Sequence, residues 1–254
     1  MIRGLYISAT GMTAQELNQN RVSNNLANAG TAGYKKDTHV FRTFREVLLQ
    51  RVERSPSGAA SRVNIGTTNY GTMVDETRTD FSDGLLQETG RALDVALVGR
   101  GMFTVETERG LRFTRDGSFH LDSEGYLVTA AGDYVLGYQG LINLAGEEFH
   151  ITPEGEIVAA DGWIIDRLLL ADFDDWQRLV KEGNNYFVAP EEVNIAPAEQ
   201  VTVKQGFLEK ANINLVQEIV DLITITRIYE ANQKAIQAQD EMLGKSVNEL
   251  GNVR

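Results

Sequence analysis

The sequence predicts an α+β fold: a mostly-β central domain flanked by long N- and C-terminal α-helices that pair as a coiled coil. Three observations predict it. The four prolines all fall between Pro56 and Pro197, which leaves both ends free to be helical. Eighteen of the 24 glycines lie between positions 58 and 206, punctuating the middle like a β-protein. Apolar residues recur at helical spacing at both ends and in short alternating runs between them.

The N-terminal helix is expected from Ile2 to about Ala29. Ile2, Leu5, Ala9 and Met12 fall in a 3-4 alternation, continued by Leu17, Val22 and Leu26, and Asn28, Gly30, Thr31 and Gly33 supply the turn chemistry that ends it. The C-terminal helix, from about Asn214 to Leu250, repeats Leu215, Leu222, Tyr229, Ile236, Leu243 and Leu250 every seventh residue. It would be about 55 Å long. Its first half is apolar over roughly twice the usual core-facing arc, through Leu215, Val216, Ile219, Val220, Leu222, Ile223, Ile225 and Tyr229. A helix that long outreaches a compact domain of this size. The two ends are therefore expected to pair, and the surplus apolar arc to face neighbouring copies.

Residues 35–71 read as an extended or linker segment, with Ser55-Pro-Ser-Gly58 and Gly66-Thr-Thr-Asn69 as its punctuation. Residues 72–208 read as an all-β outer domain. Leu93 to Leu97, Met102 to Val105, Leu111 to Arg115, Phe119 to Leu121, Tyr126 to Val128, Tyr134 to Leu136, Glu156 to Val158, Trp163 to Leu170, Tyr186 to Val188 and Val201 to Val203 are its strands. Asp122-Ser-Glu-Gly125 is a hairpin turn, and 174–180 a short helix. The helical assembly domain comprises 1–34 plus 209–254.

The chain has 254 residues, 42% hydrophobic and 24% charged, a composition that folds rather than stays disordered. Its net charge of -12 disfavours nucleic acid, and no apolar run reaches the ~20 residues of a membrane span. The start lacks a signal peptide's apolar core, since Ser8, Thr10, Thr13, Gln15 and Glu16 interrupt it. Without cysteine there are no disulfides, thiolate metal sites or cysteine nucleophile. Charge is unevenly spread: residues 1–62 carry nine Lys/Arg against four acids, so this quarter is expected to meet something acidic in the same chain or a neighbouring copy.

No catalytic constellation emerges. His39, His120 and His150 have no ligand spacing. Asp172, Asp174 and Asp175 offer too few oxygens for a hard cation. Asp116, Asp122 and Glu124 fit turn chemistry, and Glu147 and Glu148 lack a partner acid at a defined distance. Gly99-x-Gly101 lacks the third glycine and following helix of a dinucleotide loop, and neither a Walker motif nor a Gly-x-Ser-x-Gly elbow occurs. The expectation is no enzyme, no metal and no cofactor. Trp163 and Trp176 could stack on sugars, but packing inside the β domain is the expectation for both.

Ser23-Asn-Asn-Leu-Ala-Asn28 stands apart, with Asn24 and Asn28 on one helix face as cappers or as a register-setting patch. It opens Ser23-Asn-Asn-Leu-Ala-Asn-Ala-Gly-Thr-Ala-Gly-Tyr-Lys35. Further stretches are Leu93-Asp-Val-Ala-Leu-Val-Gly-Arg-Gly-Met-Phe103, Phe113-Thr-Arg-Asp-Gly-Ser-Phe119 with Gly125-Tyr-Leu-Val-Thr129, and Ala211-Asn-Ile-Asn-Leu-Val-Gln-Glu-Ile-Val-Asp-Leu-Ile223 with Arg227-Ile-Tyr-Glu-Ala-Asn-Gln-Lys234 and Asp240-Glu-Met-Leu243. In these four stretches, in this order, the chain resembles the rod and hook proteins of the bacterial flagellar basal body. Gly30 and Met102 depart from the family's usual residues, and the length resembles a distal- or proximal-rod type rather than the longer hook protein.

The resemblance implies a structural subunit, exported through the flagellar type III apparatus without a cleaved signal and stacked helically in the basal-body rod. It implies copies of itself, other rod and hook proteins and the export gate as partners, with no membrane insertion. The assembly residues it implies are Leu5, Met12, Val22, Asn24, Asn25, Leu26 and Asn28 on the first helix, and Leu215, Ile219, Leu222, Tyr229, Ile236 and Leu243 on the last. Phe44-Arg-Glu-Val-Leu48 fits a family export pattern through Phe44 and Leu48. A hook or other axial component is the alternative; from another class, a secreted glycan-binding β module with oligomerising helices.

Overall fold

The computed structural model describes residues 2–54, 60–144, 148–198 and 200–250. Ser55-Pro-Ser-Gly58 and Glu147 lie outside the described residues. The chain divides into two compact units. One comprises 1–26, 37–78 and 215–254; the other comprises 27–36 and 79–214. The first has as many Lys/Arg as acids, so the second carries the whole formal charge of -12.

In the first unit, helix α1 spans Ile2–Ala27 and helix α2 spans Leu215–Leu250. α1 stops where the Asn28 carbonyl accepts the Thr31 amide at 3.0 Å. The helices lie side by side and antiparallel. A Cβ on Gly4 would sit 2.7 Å from the Gln239 amide, one on Gly11 would sit 3.1 Å from that of Asn232, and Arg21 lies 3.7 Å from Glu218. The segment expected as a link contains strands: Asp37–Thr43 pairs with Thr72–Thr79, and Val47–Arg54 pairs antiparallel with Ala60–Thr68, with a bulge at Leu49/Gln50. No described helix is long and apolar enough to cross a membrane.

The second unit is mostly β. Its largest sheet has ten strands, running Val180–Glu182, Tyr186–Val188, Gly110–Thr114, Met102–Thr107, Tyr134–Gly137, Leu127–Val128, His120–Leu121 along its main path. Met102–Thr107 is central and buried on both faces. Phe103 and Val105 face one core cluster with Phe119, Ile142, Ile157 and Leu168, while Met102 faces a second with Phe113, Phe173 and Phe187. That two-sided burial is why its sequence is apolar without clean alternation. Strands Val95–Gly99 and Leu86–Glu88 pair with Val201–Gln205 and Phe207–Glu209, and Phe149–Ile151, Glu156–Ala159 and Ile164–Arg167 form a three-stranded sheet. The turn at 122–125 forms as expected, with Gly125 at φ +86° and the Asp122 carboxylate accepting the Tyr126 amide.

Three expectations fail. The helix over 174–180 is a single 3-10 turn, Trp176–Arg178, capped by Asp175, because strand Val180–Glu182 draws the chain out at once. The strand from Trp163 to Leu170 is broken into Ile164–Arg167 and Leu170–Phe173, which belong to different sheets. Trp163 does not pack in the β domain; it is 69% exposed on a hairpin turn. Trp176 does pack, edge-on to Phe81 and Phe173, with its indole N–H donated to Asp172.

Candidate assembly site

The contact line between the helices is largely small and polar. On α1 it presents Gly4 and Gly11, seven residues apart, and on α2 Glu218, Ile225, Asn232 and Gln239, spaced by seven. The glycines leave room for the Gln239 and Asn232 side-chain amides, which lie where a Cβ would crowd them. At its far end a polar cluster fixes the pairing. Arg21 donates to the Asn18 side chain and the Asp37 carbonyl and faces Glu218, both charges nearly buried. Buried Asn25 accepts the Asp37 amide at 3.1 Å and donates to its carbonyl at 3.0 Å. An unpaired partner here would carry a full desolvation cost, so the cluster discriminates against slipped registers. His39 lies in the same region, and burial together with the Arg21 charge lowers its pKa from 6.5.

The expected assembly residues distribute over this surface. Val22 and Asn25 are buried; Leu5, Met12, Leu26 and Asn28 are half-buried; Asn24 is exposed. On α2, Leu222, Tyr229, Ile236 and Leu243 are half-buried, as are Asn232 and Gln239, whereas Leu215 and Ile219 are exposed. Val216, Val220 and Ile223 are exposed with them, Val216 at 72%. The first turns of α2 thus hold an apolar strip in water. Each such side chain forgoes part of the about 1.5–3 kcal/mol that full burial of an apolar side chain supplies, and exposed strips of this kind are candidates for interaction surfaces. Phe44 is half-buried against Tyr6 with ring centroids 6.3 Å apart, and Leu48 is exposed.

In the second unit the motif stretches converge on residues that the sequence reading did not single out. Lys35, from the first stretch, is fully buried and donates to Glu209 at 2.6 Å and to the Ser82 carbonyl at 2.7 Å. Arg115, from the third, meets the other Glu209 oxygen at 3.0 Å and donates to the Gly101 carbonyl and to Asp83. Burial pulls the Lys35 pKa down from 10.5, against the opposing pull of Glu209. Gly33, at φ +64°, lets this segment lie on the backbone of Arg115 and Asp116, where a Cβ would come within 2.4 Å. Asn212, three residues before α2, accepts the Lys36 amide at 2.8 Å and donates to the Asp80 carbonyl at 2.7 Å. The chain leaving α1 and the chain entering α2 are thereby pinned to one another inside this unit. A lysine, an arginine and a glutamate this far apart in sequence show no local pattern, which is why spacing alone missed them.

No group of three or more His, Asp or Glu that could hold a metal ion occurs among the described residues. Burial raises the Tyr186 pKa, while its hydroxyl donates to Asp133 and is shared with Thr129.

The chain is similar to known proteins along its whole length. Three family models match in chain order: "Flagella basal body rod protein" over residues 5–35, "Flagellar hook protein FlgE/F/G D1 domain" over 96–159, and "Flagellar basal body rod FlgEFG protein C-terminal" over 204–250. The flagellar basal-body rod protein FlgG of Agrobacterium fabrum is 35% identical, covering 95% of this chain and 97% of its own. FlgG of Bacillus subtilis is 32% identical over 98% of this chain and 99% of its own. The flagellar hook-basal body complex protein FlhO of the same organism is 29% identical, end to end in both. The chain belongs to the flagellar basal-body rod protein family, whose members are structural proteins and not enzymes.

Proposed function

We propose that this chain is a structural subunit of the flagellar basal-body rod, exported unfolded by the flagellar type III apparatus and stacked helically through its terminal helices. Its partners are copies of itself and other rod and hook proteins. The observation that carries this reading is the exposed apolar strip on α2 formed by Leu215, Val216, Ile219, Val220 and Ile223. Burial of such a strip by a neighbouring subunit is favourable, which is what a stacking surface needs. The absence of cysteine suits a chain that passes an export channel without cross-linking. Phe44 and Leu48 serve as a recognition pair for the export gate, read before α1 folds back beside Phe44.

The test is electron microscopy of basal bodies isolated from cells whose only copy of this chain carries a compact label. Label along the rod is expected. Label in the hook or filament alone, or none in the basal body, overturns the reading.

A further inference from the structure

Two surfaces remain unused by the helix pairing. The first is the turn joining Glu156–Ala159 to Ile164–Arg167. Its backbone is tied down: the Gly162 amide donates to the Ala159 carbonyl, the Ala159 amide to the Trp163 carbonyl and the Ala160 amide to the Glu148 carbonyl, each at 2.8–2.9 Å. Gly162 takes the left-handed conformation the turn needs, at φ +89°. The Trp163 indole is held out in water on this tip, beside exposed Ile164 and exposed Asp161, with exposed Glu148 tied to the turn through its carbonyl. The second surface belongs to the helical unit. Arg3, Tyr6, Phe44, Arg45 and Tyr70 line an open groove of about 490 Å³. Tyr6 and Phe44 pack on one another, and the Arg3 guanidinium lies 5.7 Å from the Tyr70 ring centre.

We propose that the Trp163 tip of one copy docks into the Arg3–Tyr6–Phe44–Arg45–Tyr70 groove of a second copy. The two surfaces are complementary in charge and in chemistry. An acidic tip meets two arginines, and an indole meets aromatic rings and guanidinium groups, the pairing that dominates protein interfaces. The groove carries Arg3 and Arg45, and the tip carries Asp161 in a unit that holds the chain's whole formal charge of -12. Two different patches joined head to tail form a heterologous contact, which propagates as an open helical polymer where its rotation does not close a ring. The inference rests on the rod-subunit reading for its second copy, and adds a contact distinct from the α2 strip.

The experiment measures self-association of the full chain by sedimentation over a concentration series, together with iodide quenching of tryptophan. Trp163 is expected to be quenched in the dilute chain and shielded on association. Trp163→Ala should melt like the parent, because its side chain is exposed, and associate about tenfold or more weakly. Arg45→Glu should weaken association similarly, and the double reversal Arg45→Glu with Asp161→Lys should recover most of it. Parental association of Trp163→Ala, or a double reversal no better than Arg45→Glu alone, overturns the docking. So does shielding of Trp163 by cell-wall oligosaccharides in the dilute chain with association indifferent to Trp163→Ala. These failures are distinct from failure of the rod reading, which label absent from the basal body would show whatever Trp163→Ala does.

Discussion

At the scale of single residues, the buried charges set what the β unit tolerates. Lys35, Arg115 and Glu209 are almost fully enclosed, so Glu209→Gln leaves buried Lys35 without its paired carboxylate and Arg115 with Asp83 alone. Breaking a buried pair of this kind costs about 3–5 kcal/mol. A urea melt of the full chain should show that loss, whereas Glu88→Gln, on an exposed position of strand Leu86–Glu88, should leave the midpoint unchanged. Gly33→Ala should be costly for a different reason. It places a Cβ 2.4 Å from the Arg115 backbone and a side chain at φ +64°, where strain alone is about 1–2 kcal/mol. Asp80 gives a pH dependence. Burial alone would raise its pKa, but hydrogen bonds from Ser82 and the Lys36 charge outweigh that and hold it below 3.8. A carboxyl depressed by folding stabilises above its ordinary pKa and loses that contribution as pH falls through the folded value. Asp80→Asn should therefore flatten the acid limb of the stability–pH curve below about pH 4 and leave the neutral region otherwise parallel.

At the scale of elements, α2 separates residues that hold the monomer from residues that wait for a neighbour. Ile225 is buried and Ile223, two positions away, is half in water. Ile225→Asp is expected to unpair α1 and α2 and lower the helical signal in circular dichroism. Ile223→Asp should leave the dilute chain's spectrum and melt unchanged and abolish incorporation into basal bodies; equal losses in both measurements would identify α2 as an ordinary core helix. The helices themselves were legible, since proline-free ends with apolar recurrence leave few other readings. So were most strands, through the glycine and aspartate turns between them. The polar part of the face that joins the helices was not. Apolar periodicity passes over Gly4, Gly11, Asn232, Gln239 and the Arg21–Glu218 pair, which meet there beside buried Ile225. Leu222, Tyr229, Ile236 and Leu243, the line that periodicity does find, are half-buried, as are Asn232 and Gln239. The exposed Trp163 was illegible for a related reason: hydropathy cannot say which tryptophan a rigid turn will hold out in water.

At the scale of the whole molecule, the 254 residues need not share one core. The β unit encloses its own two clusters, while the helical unit leaves apolar surface unburied. The basic first quarter acquires a meaning as well. Arg21 and Arg42 find acids within the helical unit, and Lys35 and Lys36 find theirs among the β residues. Removal of residues 215–254 should therefore leave the β unit with a cooperative melt and abolish polymerisation. The central claim is that the terminal helices complete their burial between copies, and hydrogen exchange reads it directly. Amides of 2–27 and 215–250 are followed in the dilute chain and in isolated basal bodies. Isolated helices without full packing open readily, so exchange should be fast in the dilute chain and strongly slowed in the assembly. Equally strong protection in both states would contradict the account.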